Sequence, residues 1–372
     1  MNDRDAMRRA LELALRGTGH VSPNPRVGCV ITREGQLIAE GWHARYGGPH
    51  AEAAALAAAA EAGRSVAGAT LYSTLEPCNH QGKRGPCTQA IIAAGIGRVV
   101  VGAIDRNPIV NGVGVQVLRD AGIEVETGVL RAECEWQLRA YQHFVATGRP
   151  YVIAKAAQSL DGSIAAANGQ SKWISGEESR TRAHRLRREV DAVLVGATTV
   201  KKDDPELTVR MVEGPSPQRV VLDTDMESSL RAKLFVGPDR FKTFLFTSES
   251  NAGGVKANAL SVSGIKIRSA PVTSGDRLDL KHVLAQLARE GIASILVEGG
   301  AQVLSGFVAQ GLVDELHLFV APMMLGEGKG TFSGLGALRM EDAPRMHFHS
   351  AGRSGQDLHI IALRGARAEA QE

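Results

Sequence analysis

The sequence predicts a two-domain α/β protein in which each domain is built on a largely parallel sheet. Three observations lead there. The chain has 372 residues, well beyond the ~100–200 of an ordinary single domain. Short apolar runs alternate with helical patterns along both halves, which is how a parallel sheet covered on both faces reads in sequence. Near Phe144–Tyr151 the pattern breaks at Ala-Thr-Gly-Arg-Pro, a linker composition, and then starts again. No internal repeat joins the halves, so two different domains are expected, at residues 1–146 and 147–365, with a polar tail at 366–372 that frays.

Composition narrows the class. Apolar residues make up 44% and charged residues 22%, as in a globular protein. Aromatics are only 4%, so aliphatic side chains and alanine must fill the cores. Lys and Arg number 43 against 40 Asp and Glu, a net charge of +3. That balance argues against a nucleic-acid partner held by bulk electrostatics. No apolar run reaches the ~20 residues of a membrane span. The charged opening segment reads as an amphipathic helix, because Glu12 interrupts its apolar part and no small-residue cleavage site follows. A cytoplasmic protein without a membrane partner is expected. Four cysteines make no disulfide framework and point to metal binding or burial.

In chain order, Met7, Ala10, Leu11, Ala14 and Leu15 recur at helical spacing within residues 4–16. A turn-rich SPNPRVGC follows, then a hairpin whose charged turn is Arg33–Gly35. HAEAAALAAAAEAG is helical by composition, with Gly63 as its C-terminal cap. ATLYSTLE is a strand, CTQAIIAAG a helix ending at Gly95, and RVVVGAID an apolar strand. GVQVLRDAGIEVETGV adds a helix and a strand. In the second half YVIAKAAQSLDG, DAVLVGATTV, RVVLDT, KTFLFTS and ASILVEGG are strand candidates with helices between them. LVDELHLFVAPMML and the segment from His347 to Leu363 read as late, antiparallel strands.

One constellation carries chemistry. His50-Ala51-Glu52 opens the alanine-rich helix, Pro77-Cys78 follows a strand, and Cys87 opens the next helix. One imidazole and two thiolates can hold Zn²⁺ and leave a fourth position for water. Both cysteines lie near helix N-termini, which favours the thiolate. Glu52 is not needed as a ligand and can move a proton between water and a departing amine. His-x-Glu followed by Pro-Cys is the signature of zinc nucleobase deaminases. Eight residues separate the two cysteines where that signature has two. A structural zinc site would normally use a fourth protein ligand and would not need Glu52. Cys29 reads as a buried core thiol and Cys134 as structural. His20, His184, His282 and His317 lack ligand spacing and read as packing or surface residues.

The motifs GGPHAE and TLEPCNHQGKRGPC closely resemble those of the bifunctional riboflavin-biosynthesis deaminase-reductases. The resemblance runs on through SPNPRVGCVI, AIDRNPIVNGVG, AKAAQSLDGSIA, KWIS, DDPELTVR and VEGGAQVLSGF, in the family's order and over nearly the whole chain. It implies a cytidine-deaminase-like α/β/α domain followed by a dihydrofolate-reductase-like α/β domain. The first would hydrolyse the 2-amino group of 2,5-diamino-6-(5-phosphoribosylamino)pyrimidin-4(3H)-one. The second would use NADPH to reduce the ribosyl group of the product, 5-amino-6-(5-phosphoribosylamino)uracil, to ribityl. By the same resemblance His50, Cys78 and Cys87 are the zinc ligands and Glu52 the proton donor. Asn24, His80 and Lys83 would hold substrate in the deaminase pocket. Asn79, Gly85 and Arg106 depart from the family's usual serine, proline and proline, which bears on loop shape. A homo-oligomer is expected on resemblance alone.

No G-x-G-x-x-G follows a strand in the second half. Gly299-Gly300, between a strand and a helix, takes its place as the expected diphosphate site. The resemblance adds Ala157, Trp173, Thr199, Asp203 and Thr224 as NADPH contacts. It adds Ser171, Arg187, Leu207, Arg210 and Glu298 as substrate contacts. Two arginines suit a phosphate, because a guanidinium fork pairs its oxygens bidentately. Without the resemblance, Arg187 in TRAHRLRRE would read as part of a solvated basic face. Lys155 and Glu298 are candidates for the proton of the reduction, each taken to end a strand at the cleft. The rival readings are a zinc deaminase of a base in RNA or DNA with a non-catalytic second half, and a non-catalytic zinc module.

Overall fold

A computed structural model describes residues 1–79, 85–273, 275–336 and 339–365. The expected tail at 366–372 lies outside them. The chain divides into two compact units, Met1–Arg149 and Pro150–Glu372.

In the first unit, helix α1 (Asp3–Ala14) is capped by Asn2, whose side chain accepts the Asp5 N–H. Strands β1 (Gly28–Arg33) and β2 (Gln36–Trp42) form the expected hairpin. Glu34 and Gly35 carry its tight turn at φ 50° and 76°, the mirror-image geometry that suits strand twist. Helix α2 (Ala51–Glu61), strand β3 (Thr70–Leu75), helix α3 (Cys87–Ala93) and strand β4 (Arg98–Ala103) follow, then α4 (Val113–Asp120), β5 (Glu124–Thr127) and α5 (Arg131–Thr147). Among the described residues the sheet order is β2-β1-β3-β4-β5. β1 runs antiparallel to both of its neighbours, and β3, β4 and β5 run parallel.

Gly63 and Gly95 close α2 and α3 at φ 65° and 70°, as expected. A Cβ at Gly41 would meet the Ala55 nitrogen at 2.3 Å and the Ala51 oxygen at 2.4 Å. Glycine there lets α2 lie directly on β2 and sets the position of its first residues. Met7, Leu13, Ile31, Leu71, Ile91, Leu118 and Leu138 are fully buried around the sheet, each contributing about 1.5–3 kcal/mol. The 17-residue α5 has no counterpart in the sequence reading. It buries only Cys134, Leu138 and Gln142, a stripe one residue wide per turn with a polar member, so it leaves little amphipathic signal.

The second unit opens with β6 (Tyr151–Ser159), β7 (Ser163–Ala165), α6 (Glu177–Glu189), β8 (Ala192–Gly196), α7 (Ala197–Asp203) and β9 (Gln218–Leu222). It continues through α8 (Lys233–Val236), β10 (Thr243–Ser248), α9 (Val255–Val262), β11 (Lys266–Ala270), α10 (Leu280–Arg289), β12 (Ser294–Val297) and α11 (Ala301–Ala309). It ends with β13 (Glu315–Ala321), β14 (Lys329–Gly330), β15 (His347–Ser354) and β16 (Asp357–Leu363). The described strands form a sheet ordered β11-β10-β9-β8-β12-β6-β13-β16-β15, with β7 and β14 paired separately.

Two sequence expectations change. The strand read through DAVLVGATTV stops at Gly196, and its last four residues open α7. β13 is parallel to β6 and antiparallel only to β16, so the antiparallel edge comprises β13–β16–β15 alone. Along β6, Val152, Ala154 and Ala156 enter the core with Phe244, Phe246, Ile295, Val297 and Phe307. Strand alternation turns Lys155 and Ala157 to the opposite face. Lys155 is therefore mid-strand and does not end it. Val297 pairs with Ala154, so the next residue on, Glu298, falls beside Lys155.

Candidate functional site

The first unit gathers the deaminase-type residues at the ends of β3, α2 and α3. His50 caps α2 with extended backbone, φ −70° and ψ 163°. Its Nδ1 lies 3.4 Å from Cys78 Sγ and 3.4 Å from Cys87 Sγ. The three donor atoms lie within 4.8 Å of one another, and this soft nitrogen–sulfur set fits zinc. Cys87 is the first residue of α3, and the Cys78 carbonyl accepts the Thr88 N–H at 3.2 Å. Both sulfurs thus stand at the start of α3. The Cys87 thiol, His50 and the Cys87 N–H hold Cys78 down to about 4 against its burial. Cys87, whose proton is shared with Cys78 in a buried place, is pushed up. A metal that takes the protons' place makes both thiolates.

Glu52, in the first turn of α2, is 3% exposed. Burial raises its pKa, and the Cys78 charge adds to the rise. Ser73 on β3 donates to Glu52 Oε1 at 3.0 Å. Asn24 packs against His43, Nδ2 to Nε2 at 3.2 Å, and His43 Nδ1 donates to the Pro49 carbonyl at 2.7 Å. The His43 ring meets the His50 ring edge-on at 5.5 Å. Asn24 is thereby brought beside the His50 site. His80 and Lys83 lie outside the described residues.

Sequence reasoning missed three residues here. His43, Ser73 and Glu76 carry no spacing signal, because each meets its partner through the fold. Glu76 is 3% exposed and accepts the N–H groups of Asp105, Gly112 and Val115 at 2.9–3.2 Å. A Cβ at Gly114 would strike the Pro77 oxygen at 2.1 Å. The Pro77-Cys78 turn is thus clamped between Glu76 and the start of α4.

The second unit holds a cleft of about 1500 Å³ along the C-terminal ends of the parallel strands, where open α/β sheets place ligands. All twelve cofactor and substrate residues expected in this half line it, and so does Lys155. Ala157 lies on β6, Ser171 and Trp173 precede α6, and Arg187 is on α6. Thr199 and Asp203 are on α7, Leu207 and Arg210 follow it, and Thr224 follows β9. Glu298, Gly299 and Gly300 join β12 to α11. The two glycines serve different ends. A Cβ at Gly299 would sit 2.7 Å from Val303 Cβ, whereas Gly300 caps α11 and faces open space beside Thr199. Trp173 is 64% exposed, with Arg180 over its ring at 4.7 Å. Leu207 sits at φ 55°, a left-handed conformation that a bulky residue adopts only when its surroundings impose it.

Arg187 is not on a solvated face. Its Nε and Nη2 donate to Glu298 at 2.6 and 3.0 Å, and its Nη1 donates to the Thr208 carbonyl at 3.0 Å. The side chains are 12% and 9% exposed. The guanidinium fork expected to grip a phosphate is spent on a carboxylate. Burial alone would raise Glu298, but Arg187, Lys155 and His184 hold it down to about 2. Burial lowers the Lys155 pKa, with Glu298 opposing.

The fold and the two sites define a class: a zinc-binding deaminase unit joined in one chain to a reductase unit. Residues 1–103 match the cytidine and deoxycytidylate deaminase zinc-binding region, and residues 150–360 match the RibD C-terminal domain. The riboflavin biosynthesis protein RibD of Aquifex aeolicus is 41% identical over 363 residues, covering 97% of this chain and 98% of that one. Its Bacillus amyloliquefaciens counterpart is 41% identical over 360 residues, covering 96% and 95%. A solved deaminase/reductase from Thermotoga maritima superposes with a TM-score of 0.86 at 37% identity, covering 97% of this chain and 98% of that one. The chain belongs to the RibD family. It is a bifunctional deaminase and reductase of riboflavin biosynthesis, and the deaminase is the zinc-binding half.

Proposed function

We propose that this enzyme carries out two consecutive steps on one small molecule. Residues 1–146 deaminate 2,5-diamino-6-(5-phosphoribosylamino)pyrimidin-4(3H)-one. Residues 147–365 then reduce the ribosyl group of 5-amino-6-(5-phosphoribosylamino)uracil to ribityl with NADPH. The Thermotoga neighbour is described as this deaminase and this uracil reductase. The observation that carries the reading is the donor set of His50, Cys78 and Cys87 with Glu52 sealed behind it.

His50, Cys78 and Cys87 hold the zinc, which when bound acts as a Lewis acid and makes water acidic near neutral pH. Glu52 takes the proton from the attacking water and returns it to the departing amine. Its buried carboxyl, raised in pKa and held at Oε1 by Ser73, can carry that proton. Asn24, backed by His43, orients the pyrimidine edge, and His80 and Lys83 are the further substrate contacts of this reading.

NADPH, when bound, supplies a hydride from its nicotinamide ring. Ala157, Trp173, Thr199, Asp203, Thr224, Gly299 and Gly300 hold it along the strand ends, and the α11 N-terminus favours its diphosphate. Ser171, Leu207 and Arg210 bind the substrate, and the Arg187–Glu298 pair shapes its floor. Of the two proton candidates the geometry favours Lys155. Both Glu298 oxygens accept from Arg187, so that carboxylate is committed to the pair, whereas Lys155 stands beside it and lines the cleft. No described helix is long and apolar enough to cross a membrane. We place the enzyme in the cytoplasm as a homo-oligomer acting on free small molecules, with no nucleic acid involved.

Mass spectrometry of the aminopyrimidine substrate, incubated with zinc-loaded enzyme with and without NADPH, tests the reading. An amine replaced by oxygen without NADPH, then two hydrogens gained only with it, is the expected result. Deamination with no gain of hydrogen would remove the reductase assignment, and an untouched substrate would remove both.

A further inference from the structure

Helix α6 turns a buried side chain into the reductase cleft that none of the roles above uses. His184 precedes Arg187 by three residues and so shares its helix face. It is 4% exposed and lines the cleft. Its Nδ1 accepts the backbone N–H of Arg210 at 3.2 Å. A backbone amide only donates, so this nitrogen carries no proton, and in the neutral ring the proton sits on Nε2. Among the described residues Nε2–H meets no acceptor.

The surroundings keep the ring neutral. Burial comes first, and Arg187, Arg210 and Lys155 add to it. Together they hold His184 down to about 4 against the pull of Glu298. His184 Nε2 is not one of the buried polar atoms sealed without a partner, so it opens to the cleft it lines, where a ligand oxygen can take the place of water as its acceptor. Three cations around the donor make an oxygen-rich, anionic ligand the fitting partner.

We propose that His184 is a substrate-binding residue of the reductase, its Nε2–H donating to an oxygen of the substrate's phosphoribosyl group while its Nδ1 fixes the Arg210 loop. The ring joins two functions that the sequence places apart: it orders the loop carrying Leu207 and Arg210, and it presents one directed donor to the sugar phosphate. This inference rests on the reductase reading of the cleft.

Two variants separate binding from structure. His184→Asn keeps an acceptor near the Nδ1 position and loses the distal donor. His184→Gln restores a donor near the Nε2 position. Steady-state reduction of 5-amino-6-(5-phosphoribosylamino)uracil gives KM and kcat, and fluorescence titration gives the NADPH Kd. His184→Asn should raise KM about tenfold, the effect of one lost hydrogen bond of about 1.4 kcal/mol, with NADPH affinity unchanged. His184→Gln should recover most of the loss. An unchanged KM in His184→Asn overturns the proposal. Equal losses in both variants with a lowered Tm would show a structural role only, and a weakened NADPH Kd at constant KM would move the contact to the cofactor. A wild-type enzyme that reduces nothing would defeat the reductase reading itself, and this proposal with it.

Discussion

Two buried carboxylates, one at each site, meet opposite fates. Glu52 and Glu298 both lose water, which disfavours the charged form. Glu52 has a hydroxyl on one oxygen and a thiolate nearby, so burial wins and its pKa rises. Glu298 faces the two-pronged guanidinium of Arg187 with Lys155 alongside, so the charges win and its pKa falls to about 2. The first is suited to carry a proton, and the second is held as an anion. Burial alone therefore does not identify a catalytic acid, and the charge of the nearest partner decides.

The sharpest way to break this contrast is to remove the carrier. Glu52→Gln should lower deamination by about 10²–10⁴-fold, the usual worth of a general acid–base group. Reduction of the pre-formed uracil substrate should stay unchanged, and a parallel fall in both rates would show that the two sites are not independent.

Removing the cation tests the other half. Arg187→Met leaves Glu298 buried without its partner, which costs about 3–5 kcal/mol. Thermal unfolding should show that loss, and the double variant Arg187→Met with Glu298→Gln should regain part of it. No recovery in the double variant would mean that the pair is not what Arg187 contributes.

A smaller effect should follow at the zinc site. Glu76→Gln weakens the clamp on Pro77-Cys78, and outer-shell partners of this kind typically change metal affinity by about 10–100-fold. Competition with a chromophoric zinc chelator measures it. A shift in stability without any shift in zinc affinity would reduce Glu76 to a loop anchor.

The smallest effect concerns pH. His184 and His359 are both held down to about 4 by burial first and then by neighbouring positive charge. The unfolded chain takes up these protons as pH drops through the ordinary histidine range near ~6.5, while the folded chain resists until about 4. Stability should therefore fall as pH decreases between those values. Glu298 acts at lower pH, since the stability it confers is present above its ordinary pKa and is lost toward about 2. Urea unfolding at pH 7 and pH 5 reads the histidine part. His184→Asn should remove about half of the difference and leave the His359 share, and an unaltered slope would show that His184 charges freely in the folded protein.

Legibility followed sequence separation. The zinc donors and Glu52 lie between His50 and Cys87, and His50, Glu52 and Cys87 each sit where a helix begins. Elements that bury a broad apolar face, such as α1 and the β1–β2 hairpin, were readable for the same local reason. The narrow-striped α5 was not, and the turn from β8 into α7 was hidden by an apolar run that serves both. In the second half the cleft residues were named through family resemblance, and periodicity alone would have left Arg187 on a solvated face.

By itself the sequence determined the two α/β units and the zinc donor set, and it singled out Glu52 beside that set, because residue type and spacing within one segment suffice for each. Tertiary structure alone decided that Arg187 is locked to Glu298, 111 residues away, that Glu298 stands beside Lys155, and that His184 lines the cleft with its Nδ1 on the Arg210 N–H. Those pairings depend on the register of parallel strands and on the helix face laid across them. Both are settled by packing over the whole sheet, so no local pattern of residues announces them.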